Sequence, residues 1–214
     1  MQYRRILQQR NALLASGMVS SSDQALDIWT GQLALQAASI VMARMDFVSR
    51  FSVQFRKIYA LFSGEQVPSI DYNCSLGTCS PDIRKEELAA QFLDRYEELR
   101  SSELMRRQTL AGPHRDDMRF CTDGHEIRKY ASQGQQRSFL IAMKLALHKY
   151  LSEAEGELPV TLFDDLFSEL DEDVSEMIID SLSAYGQVII TSTVEKRGEG
   201  ITLFSIDQAR QARS

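Results

Sequence analysis

The sequence PVTLFDDLFSELDEDVSEMIIDSLSAYGQVIITS, residues 159–192, contains two short apolar runs on either side of one amphipathic segment. The runs PVTLF and QVIITS are typical of strands. Between them, the apolar residues of 172–184 recur at spacings of three and four, which predicts a helix with one apolar face. Strand, helix and strand within so short a span predict a parallel βαβ unit, with its functional groups at the carboxyl ends of the strands.

Two adjacent carboxylates, Asp164 and Asp165, follow the first of these strands. Two carboxylates at the end of an apolar strand place negative charge where burial is unfavourable, so a compensating positive charge is expected. A hydrated Mg²⁺ held by one carboxylate, with the second directed at a water molecule, would supply it, as in the strand B motif of nucleotide triphosphatases. Aspartate pairs after strands also serve as helix caps and turn formers, so the pair alone leaves both interpretations open.

A second polar cluster, SQGQQ, stands directly in front of a long and largely apolar helical segment. Ser132 is a good N-cap for a helix that begins near Gln135, and Gly134 lets backbone N–H groups approach a ligand. Helix N-termini bind anions, and the triphosphate of a nucleotide is a suitable one. The alternative is a simple helix cap, but a simple cap does not need the three glutamines, Gln133, Gln135 and Gln136.

The segment SELD, Ser168 to Asp171, begins three residues after Asp165. By itself it is typical of a helix start with Asp171 as the N-cap. The order SQGQQ, helix, TLFDD, SELD, helix, VIITS is far more specific than any of its parts. The 214 residues contain no GxxxxGK[ST] motif, because none of the 11 glycines is followed by lysine. The loop that cradles the α and β phosphates of a nucleotide is therefore not among them.

The N-terminal half is predicted to be mostly helical. A first helix is expected from about Tyr3 to Ala15, and apolar residues then recur at helical spacing over 23–62. That second stretch is one long helix or two in series, about 55 Å in length, which indicates a lid or arm. A strand over 70–76 and a third helix from about Asp82 follow. Asp123-Gly124 predicts the type I′ turn of a hairpin.

The composition is that of a soluble globular protein, with 43% hydrophobic residues, 25% charged residues and a net charge of −6. No apolar run approaches the roughly 20 residues of a membrane helix, and the first residues do not resemble an export signal. We therefore expect a cytoplasmic protein with no membrane partner. Cys74, Cys79 and Cys121 lack CxxC spacing and are interpreted as reduced thiols without an assigned role.

The series of motifs resembles the RecF family of recombination mediator ATPases, whose head is similar to those of ABC transporters and SMC proteins. The resemblance covers most of the chain, beginning at YRRILQQRNALL, and is sharpest at AGPHRDDMRF, SQGQQR, MKLAL, LFDDLFSELD and VIITST. It implies an α/β fold: a partial ABC/SMC-type ATPase head, in which parallel strands flank a helix beside a hairpin, with a long-helix lid or arm domain. We assign residues 1–108 to the lid or arm and 109–214 to the C-terminal part of the ATPase domain.

The resemblance implies a role for each motif. SQGQQ, Ser132 to Gln136, would be the signature that binds the γ-phosphate of a nucleotide held mainly by the opposite subunit. Asp164 would act on Mg²⁺ directly or through water, and Asp165 would polarise the attacking water. The other implied groups are the D-loop residues Ser168 and Asp171, the hydroxyls Thr191 and Thr193 near the γ-phosphate, and the candidate interface residues His114 and Arg115.

His114 and Arg115 also have a simpler interpretation. As isolated residues they are more typical of a polar turn than of a ligand site, with Asp116 neutralising Arg115.

A member of this family would form a homodimer through its ATPase head on binding ATP, and would bind DNA at gaps or single/double-strand junctions. It would act with RecO and RecR to load RecA, in DNA replication, repair and the SOS response. Because these residues lack a P-loop, ATP and Mg²⁺ binding and ATP hydrolysis are expected only when a P-loop half is supplied. Charge alone suggests these DNA contacts: Arg4, Arg5, Arg56, Lys57, Arg106 and Arg107.

Two other functions stay open. The chain could be a truncated, non-enzymatic interaction module derived from RecF, which would expose apolar surface and self-associate. The weakest hypothesis is a two-metal nuclease built on Asp164, Asp165 and Asp171.

Overall fold

The computed structural model describes residues 2–18, 23–77, 79–167, 170–195 and 200–204. Two compact units are formed, one from residues 1–50 and 70–120 and the other from residues 51–69 and 121–214. The predicted division into a lid or arm and an ATPase part at 108/109 stays a prediction. The elements in chain order are α1 (Gln2–Ser16), α2 (Gln24–Ser63), β1 (Pro68–Asn73), α3 (Lys85–Arg106), β2 (Asp117–Thr122), β3 (His125–Glu126), α4 (Ile127–Tyr130), α5 (Gln133–Glu155), β4 (Thr161–Phe163), α6 (Glu172–Leu182), a 3₁₀ turn (Ser183–Tyr185) and β5 (Val188–Ile190).

The first unit has a core built from three helices. The predicted long apolar stretch is one continuous helix of 40 residues, α2, and at 1.5 Å per residue it is about 60 Å long. Within this unit α2 contributes small and branched residues that are fully buried, while α3 contributes aromatic rings. The core residues include Ile6, Leu33, Ala34, Ala37, Ala38, Val41, Leu88, Phe92 and Tyr96.

A fully buried ion pair lies in the same unit. Arg10 of α1 and Glu103 of α3 are 1% and 0% exposed, and Arg10 Nη2 lies 2.6 Å from Glu103 Oε2. Arg10 also donates through Nε to Thr30 Oγ1 at 2.9 Å and through Nη1 to Thr109 Oγ1 at 2.8 Å. The second carboxylate oxygen of Glu103 accepts from the backbone N–H of Leu110 at 2.7 Å. Both charges are therefore hydrogen-bonded, as burial requires.

The second unit contains the βαβ element. Strands β4 and β5 are parallel neighbours, with Thr161 opposite Val188 and Phe163 opposite Ile190, so the prediction from residues 159–192 is confirmed. Helix α5 packs in this unit through Phe139, whose ring lies 4.9 Å from that of Phe55.

Several element boundaries differ from those predicted. Helix α5 begins at Gln133, two residues before the predicted start, because Ser132 already caps it. The first strand is Pro68–Asn73 instead of 70–76, and α3 begins at Lys85. Asp123 and Gly124 have φ values of +49° and +77°, which confirms the predicted turn. The second arm of that hairpin has only two residues, since α4 begins at the buried Ile127.

No helix among the described residues has the length and hydropathy to span a membrane.

Candidate functional site

The carboxyl ends of β4 and β5 bring the two predicted strand-end motifs side by side. Thr191, the first residue after β5, donates its backbone N–H to Phe163 O at 3.0 Å and accepts at its own carbonyl from Leu166 N–H at 3.3 Å. These bonds continue the parallel pairing beyond the last strand residues. Asp164 and Asp165 therefore lie beside Thr191 at one edge of the sheet.

The hydroxyl of Thr191 connects the two aspartates. Its oxygen accepts a hydrogen bond from the Asp165 backbone N–H at 2.9 Å, and it donates to Asp164 Oδ1 at 2.5 Å. Asp165 has a φ of +48°, in the left-handed region that aspartate tolerates better than most residues. Both carboxylates belong to exposed residues. The strand ends therefore present two exposed aspartates, and the hydroxyl fixes the carboxylate of Asp164 and the backbone of Asp165.

Arg137, in the first turns of α5, binds the same loop. Its Nη2 donates to the carbonyl oxygen of Asp164 at 3.2 Å and also to that of Asp165. One guanidinium thus connects the helix that follows SQGQQ to the backbone that carries both aspartates. Sequence reasoning missed Arg137, although it is the only cation in the first two turns of that helix and directly follows SQGQQ.

The SQGQQ cluster forms a complete capping box. Ser132 Oγ accepts from Gln135 N–H at 3.2 Å, and Gln135 Oε1 accepts from Ser132 N–H at 2.9 Å. Gln136 Nε2 donates to Ala131 O at 3.0 Å. Two of the three glutamines are thus used in local hydrogen bonds, and the signature role that the resemblance implies for the cluster stays a prediction. Gln133 is the glutamine of the cluster that the capping box and these local bonds do not use.

The structure places the remaining strand-end residues as follows. Asp171 is the N-cap residue of α6 by position, but its side chain makes no capping hydrogen bond. Thr193 is exposed two residues beyond Thr191. Ser168 lies outside the described residues. Within the described ranges no group of three or more His, Cys, Asp or Glu could hold a metal, so Asp164, Asp165 and Asp171 do not form the cluster that a two-metal nuclease needs.

His114 and Arg115 belong to the first unit, in the turn that follows Gly112. His114 Nδ1 lies 2.7 Å from the hydroxyl of Tyr3, and its Nε2 lies 3.4 Å from Thr109 O. Partial burial lowers the pKa of His114. Burial also raises the pKa of Tyr3. Because the Thr109 carbonyl can only accept, a neutral His114 donates through Nε2 and accepts at Nδ1 from the Tyr3 hydroxyl.

Asp116 does not neutralise Arg115, contrary to the simpler interpretation. The Asp116 side chain is fully buried, accepts from Ser75 N–H at 2.8 Å and from the Tyr72 hydroxyl, and lies 3.7 Å from Arg44 Nη1. Arg115 Nη2 instead donates to two neutral acceptors, Gln108 Oε1 at 3.1 Å and the carbonyl of Thr109 at 3.3 Å. The charge of Arg115 is thus held in place without being cancelled.

Comparison with known proteins gives a consistent result. No family model matches the sequence. The DNA replication and repair protein RecF of Chlorobaculum tepidum is 51% identical over 212 residues, which are 99% of this chain and 58% of that protein. RecF of Chlorobaculum parvum is 51% identical over 211 residues, 98% of this chain and 57% of that protein. Over nearly its whole length the chain is similar to part of RecF.

A solved structure supports the same relationship. The recombination mediator protein RecF with ATP, described in the RecFOR pathway, superposes with a TM-score of 0.79 at 27% identity, covering 92% of this chain and 52% of that chain. The α/β architecture of a partial ABC/SMC-type ATPase head is thereby confirmed. The chain spans somewhat over half the length of the RecF relatives that it matches.

The two-stranded sheet of β4 and β5 has an apolar face that is exposed among the described residues. Leu162 of β4 and Ile189 of β5 are directly opposite each other in the parallel register, and they are 63% and 50% exposed. Cross-strand neighbours lie on the same face of a sheet. Large aliphatic side chains in paired strands are normally buried, so this face is suited to a further protein segment.

Proposed function

We propose that this chain provides the signature, strand B and D-loop motifs of a RecF-type ATPase that acts in DNA repair. The observation that carries the proposal is the Thr191 hydroxyl, which fixes Asp164 and Asp165 at the carboxyl ends of two parallel strands. Nucleotide sites of open α/β sheets lie at this edge. The hydroxyl holds the Asp164 carboxylate and the Asp165 backbone N–H at this edge.

Asp164 and Thr191 fit the requirements of a Mg²⁺ site in a nucleotide complex. Mg²⁺ is usually held by one or two carboxylates together with phosphate oxygens and waters, and Asp164 is exposed at the strand end. Bound Mg²⁺ would neutralise charge on the phosphates. Asp165 would orient the attacking water and accept its proton. The hydrogen bond from its backbone N–H to Thr191 would help to position it for this role.

The N-terminus of α5 would contact the γ-phosphate of a nucleotide held mainly by the opposite subunit of a homodimer. The capping box satisfies Ser132 and Gln135 and fixes the helix start, while Gly134 leaves the backbone N–H groups open to an anion. Ser168 and Asp171 would lie in the D-loop at the dimer interface, with Thr193 near the γ-phosphate. The proposal extends to His114 and Arg115 as interface groups.

The partners follow from the relatives. These are DNA replication and repair proteins, and one solved relative is a recombination mediator in the RecFOR pathway. We propose that the chain, together with a P-loop half, binds gapped DNA or single/double-strand junctions in the cytoplasm. It would act there with RecO and RecR to load RecA, as part of the SOS response.

Titration calorimetry with Mg-ATP tests the nucleotide proposal. The chain is measured alone and after addition of the part of Chlorobaculum tepidum RecF that it does not cover. Binding and hydrolysis are expected only in the mixture. Asp165→Asn should lower hydrolysis there by at least about 100-fold and leave binding intact, because it removes a proton acceptor. Asp173→Asn, the same change at an exposed position on α6, should alter neither. ATP hydrolysis by the chain alone that Asp165→Asn abolishes would contradict the need for a P-loop half.

The uncovered face of β4 and β5 supports a second candidate function, a non-enzymatic interaction module. If the mixture neither binds nor hydrolyses ATP, this alternative is favoured. Analytical ultracentrifugation then provides the check. If the exposed side chains of β4 and β5 drive self-association, the double variant Leu162→Gln with Ile189→Gln should reduce it.

A further inference from the structure

Three arginines of the first unit line one surface groove. We call it the arginine groove and define it by Arg95, Leu99, Ser102 and Arg106 of α3 with Leu110 and Arg115 of the segment that follows. Charge alone had singled out Arg106, and the family resemblance had singled out Arg115. Sequence inspection gave no reason to place the two in one groove.

The α3 members of the groove form a straight row. Arg95, Leu99, Ser102 and Arg106 are spaced by four, three and four residues, so they share one side of the helix. From Arg95 to Arg106 the helix axis rises by about 16 Å. A row of cations of that length is suited to a linear polyanion, whereas a single phosphate would be bound best by guanidinium groups that converge on one point.

The positive charge of the groove is largely uncompensated. Among the described residues no carboxylate forms an ion pair with Arg106. The acid nearest in sequence, Glu103, is buried against Arg10. Arg115 is held by two neutral oxygens. Arg95 is paired with Glu98 at 2.8 Å, but that pair is exposed and is easily exchanged for another anion.

We propose that the arginine groove binds the sugar-phosphate backbone of DNA. Arg95, Arg106 and Arg115 would contact successive phosphates, and Leu99 and Leu110 would lie against the sugars. Phosphate contacts of this kind position a protein on DNA without reading its sequence. The inference rests on the proposed DNA repair function and names the surface through which the first unit takes part in it.

Fluorescence anisotropy of a labelled single/double-strand junction tests the proposal with the 214-residue chain, over NaCl concentrations from about 50 to 200 mM. Each neutralised phosphate contributes about 0.7 to 0.9 to the slope of log affinity against log salt. The double variant Arg106→Gln with Arg115→Gln should therefore lose about 1.5 from the slope and at least about tenfold in affinity at the lowest salt. Arg106→Lys keeps the charge and should retain the slope.

Arg50→Gln is the matched control. Arg50 is an exposed arginine of the same unit that pairs with Asp46 on α2, outside the groove, so its removal changes the net charge by the same amount as one groove substitution. It should leave the slope unchanged. Circular dichroism and thermal unfolding confirm that each variant is folded before binding is compared.

The outcomes separate the two levels of inference. If the unsubstituted chain binds the junction but the double variant binds equally well, the groove proposal fails and the DNA repair function stands. If the chain alone binds no DNA even at the lowest salt, the groove proposal fails, whereas the proposed function, in which a P-loop half takes part in DNA binding, is decided by the calorimetry of the mixture. If Arg50→Gln lowered the affinity and the salt slope as much as the groove substitutions do, the effect would come from net charge, and the groove proposal would fail. A polyglutamate peptide that displaces the DNA and binds more tightly through the same arginines would identify an acidic protein as the ligand instead.

Discussion

The hydroxyl of Thr191 donates a hydrogen bond to Asp164 across the ends of two parallel strands, with 2.5 Å between the oxygen atoms. The bond exists because Phe163 and Ile190 are register partners, so the residues that follow them emerge side by side. The pairing of two three-residue strands thereby sets the position of a carboxylate that the proposed function assigns to Mg²⁺.

Thr191→Val should lower the free energy of unfolding by about 1 to 2 kcal/mol, because it removes the acceptor of the Asp165 N–H and the donor to Asp164 while keeping the side-chain shape. Thr191→Ser keeps the hydroxyl and should cost less than half as much. Urea denaturation measures both. A larger loss for Thr191→Ser than for Thr191→Val would mean that the methyl group, and not the hydroxyl, stabilises the strand ends.

The buried pair of Arg10 and Glu103 predicts a larger effect. Arg10→Met leaves a carboxylate buried without its cation and should destabilise the chain by about 3 to 5 kcal/mol. Adding Glu103→Leu should restore most of that loss, since well-packed apolar residues can replace a buried pair. Arg50→Met, which breaks an exposed pair, is the control and should cost at most about 0.5 kcal/mol. A small loss for Arg10→Met would contradict the stabilising role of the buried pair.

The sequence was sufficient for the elements whose signal is local. Three features depend on residues within a few positions of one another: the apolar period of α2, the short strands on either side of α6 and the Ser132 cap. The local sequence pattern therefore predicts them. The order of the strand-end motifs was recognisable for the same reason.

Contacts between distant residues could not be predicted. Arg10 and Glu103 are 93 residues apart, and no local sequence pattern around either residue indicates that the two form an ion pair. One signal was overlooked: Arg10 lies on the apolar side of α1 with Ile6 and Leu14, at a position where a charge has to be buried. Arg137 was missed because its acceptors are backbone carbonyls, which no side-chain pattern records.

Gly112 should not tolerate a side chain. A Cβ added there would lie 2.6 Å from the Tyr3 hydroxyl and 3.0 Å from that of Tyr96, and the φ of +121° is strained for any other residue. Gly112→Ala should cost about 2 to 4 kcal/mol of unfolding free energy. Gly31→Ala, in α2 with nothing within 4 Å of the new Cβ, should instead stabilise by about 0.5 to 1 kcal/mol. Thermal and urea unfolding of the two variants give the comparison. If both variants lost a similar amount of stability, the contact of the new Cβ with Tyr3 would not be the cause of the loss at Gly112.

His114 predicts a pH dependence of stability. Its pKa is lowered by burial, and its Nδ1 accepts from Tyr3, which a protonated imidazole cannot do. Between its folded pKa and the ordinary value of about 6.5, the unfolded chain binds more protons than the folded one. The contribution of His114 is therefore fully present above about pH 6.5 and is lost as the pH falls through that value toward the folded pKa.

The measurement is the free energy of unfolding in urea between pH 7.5 and 5.5. His114→Gln removes the titrating group, so its stability should fall less steeply with decreasing pH than that of the unsubstituted chain. An NMR titration assigns the effect directly, because the imidazole of His114 should titrate below about 6.5. A His114 that titrates above that value would reverse the sign and show that the Tyr3 hydroxyl does not hold the neutral form.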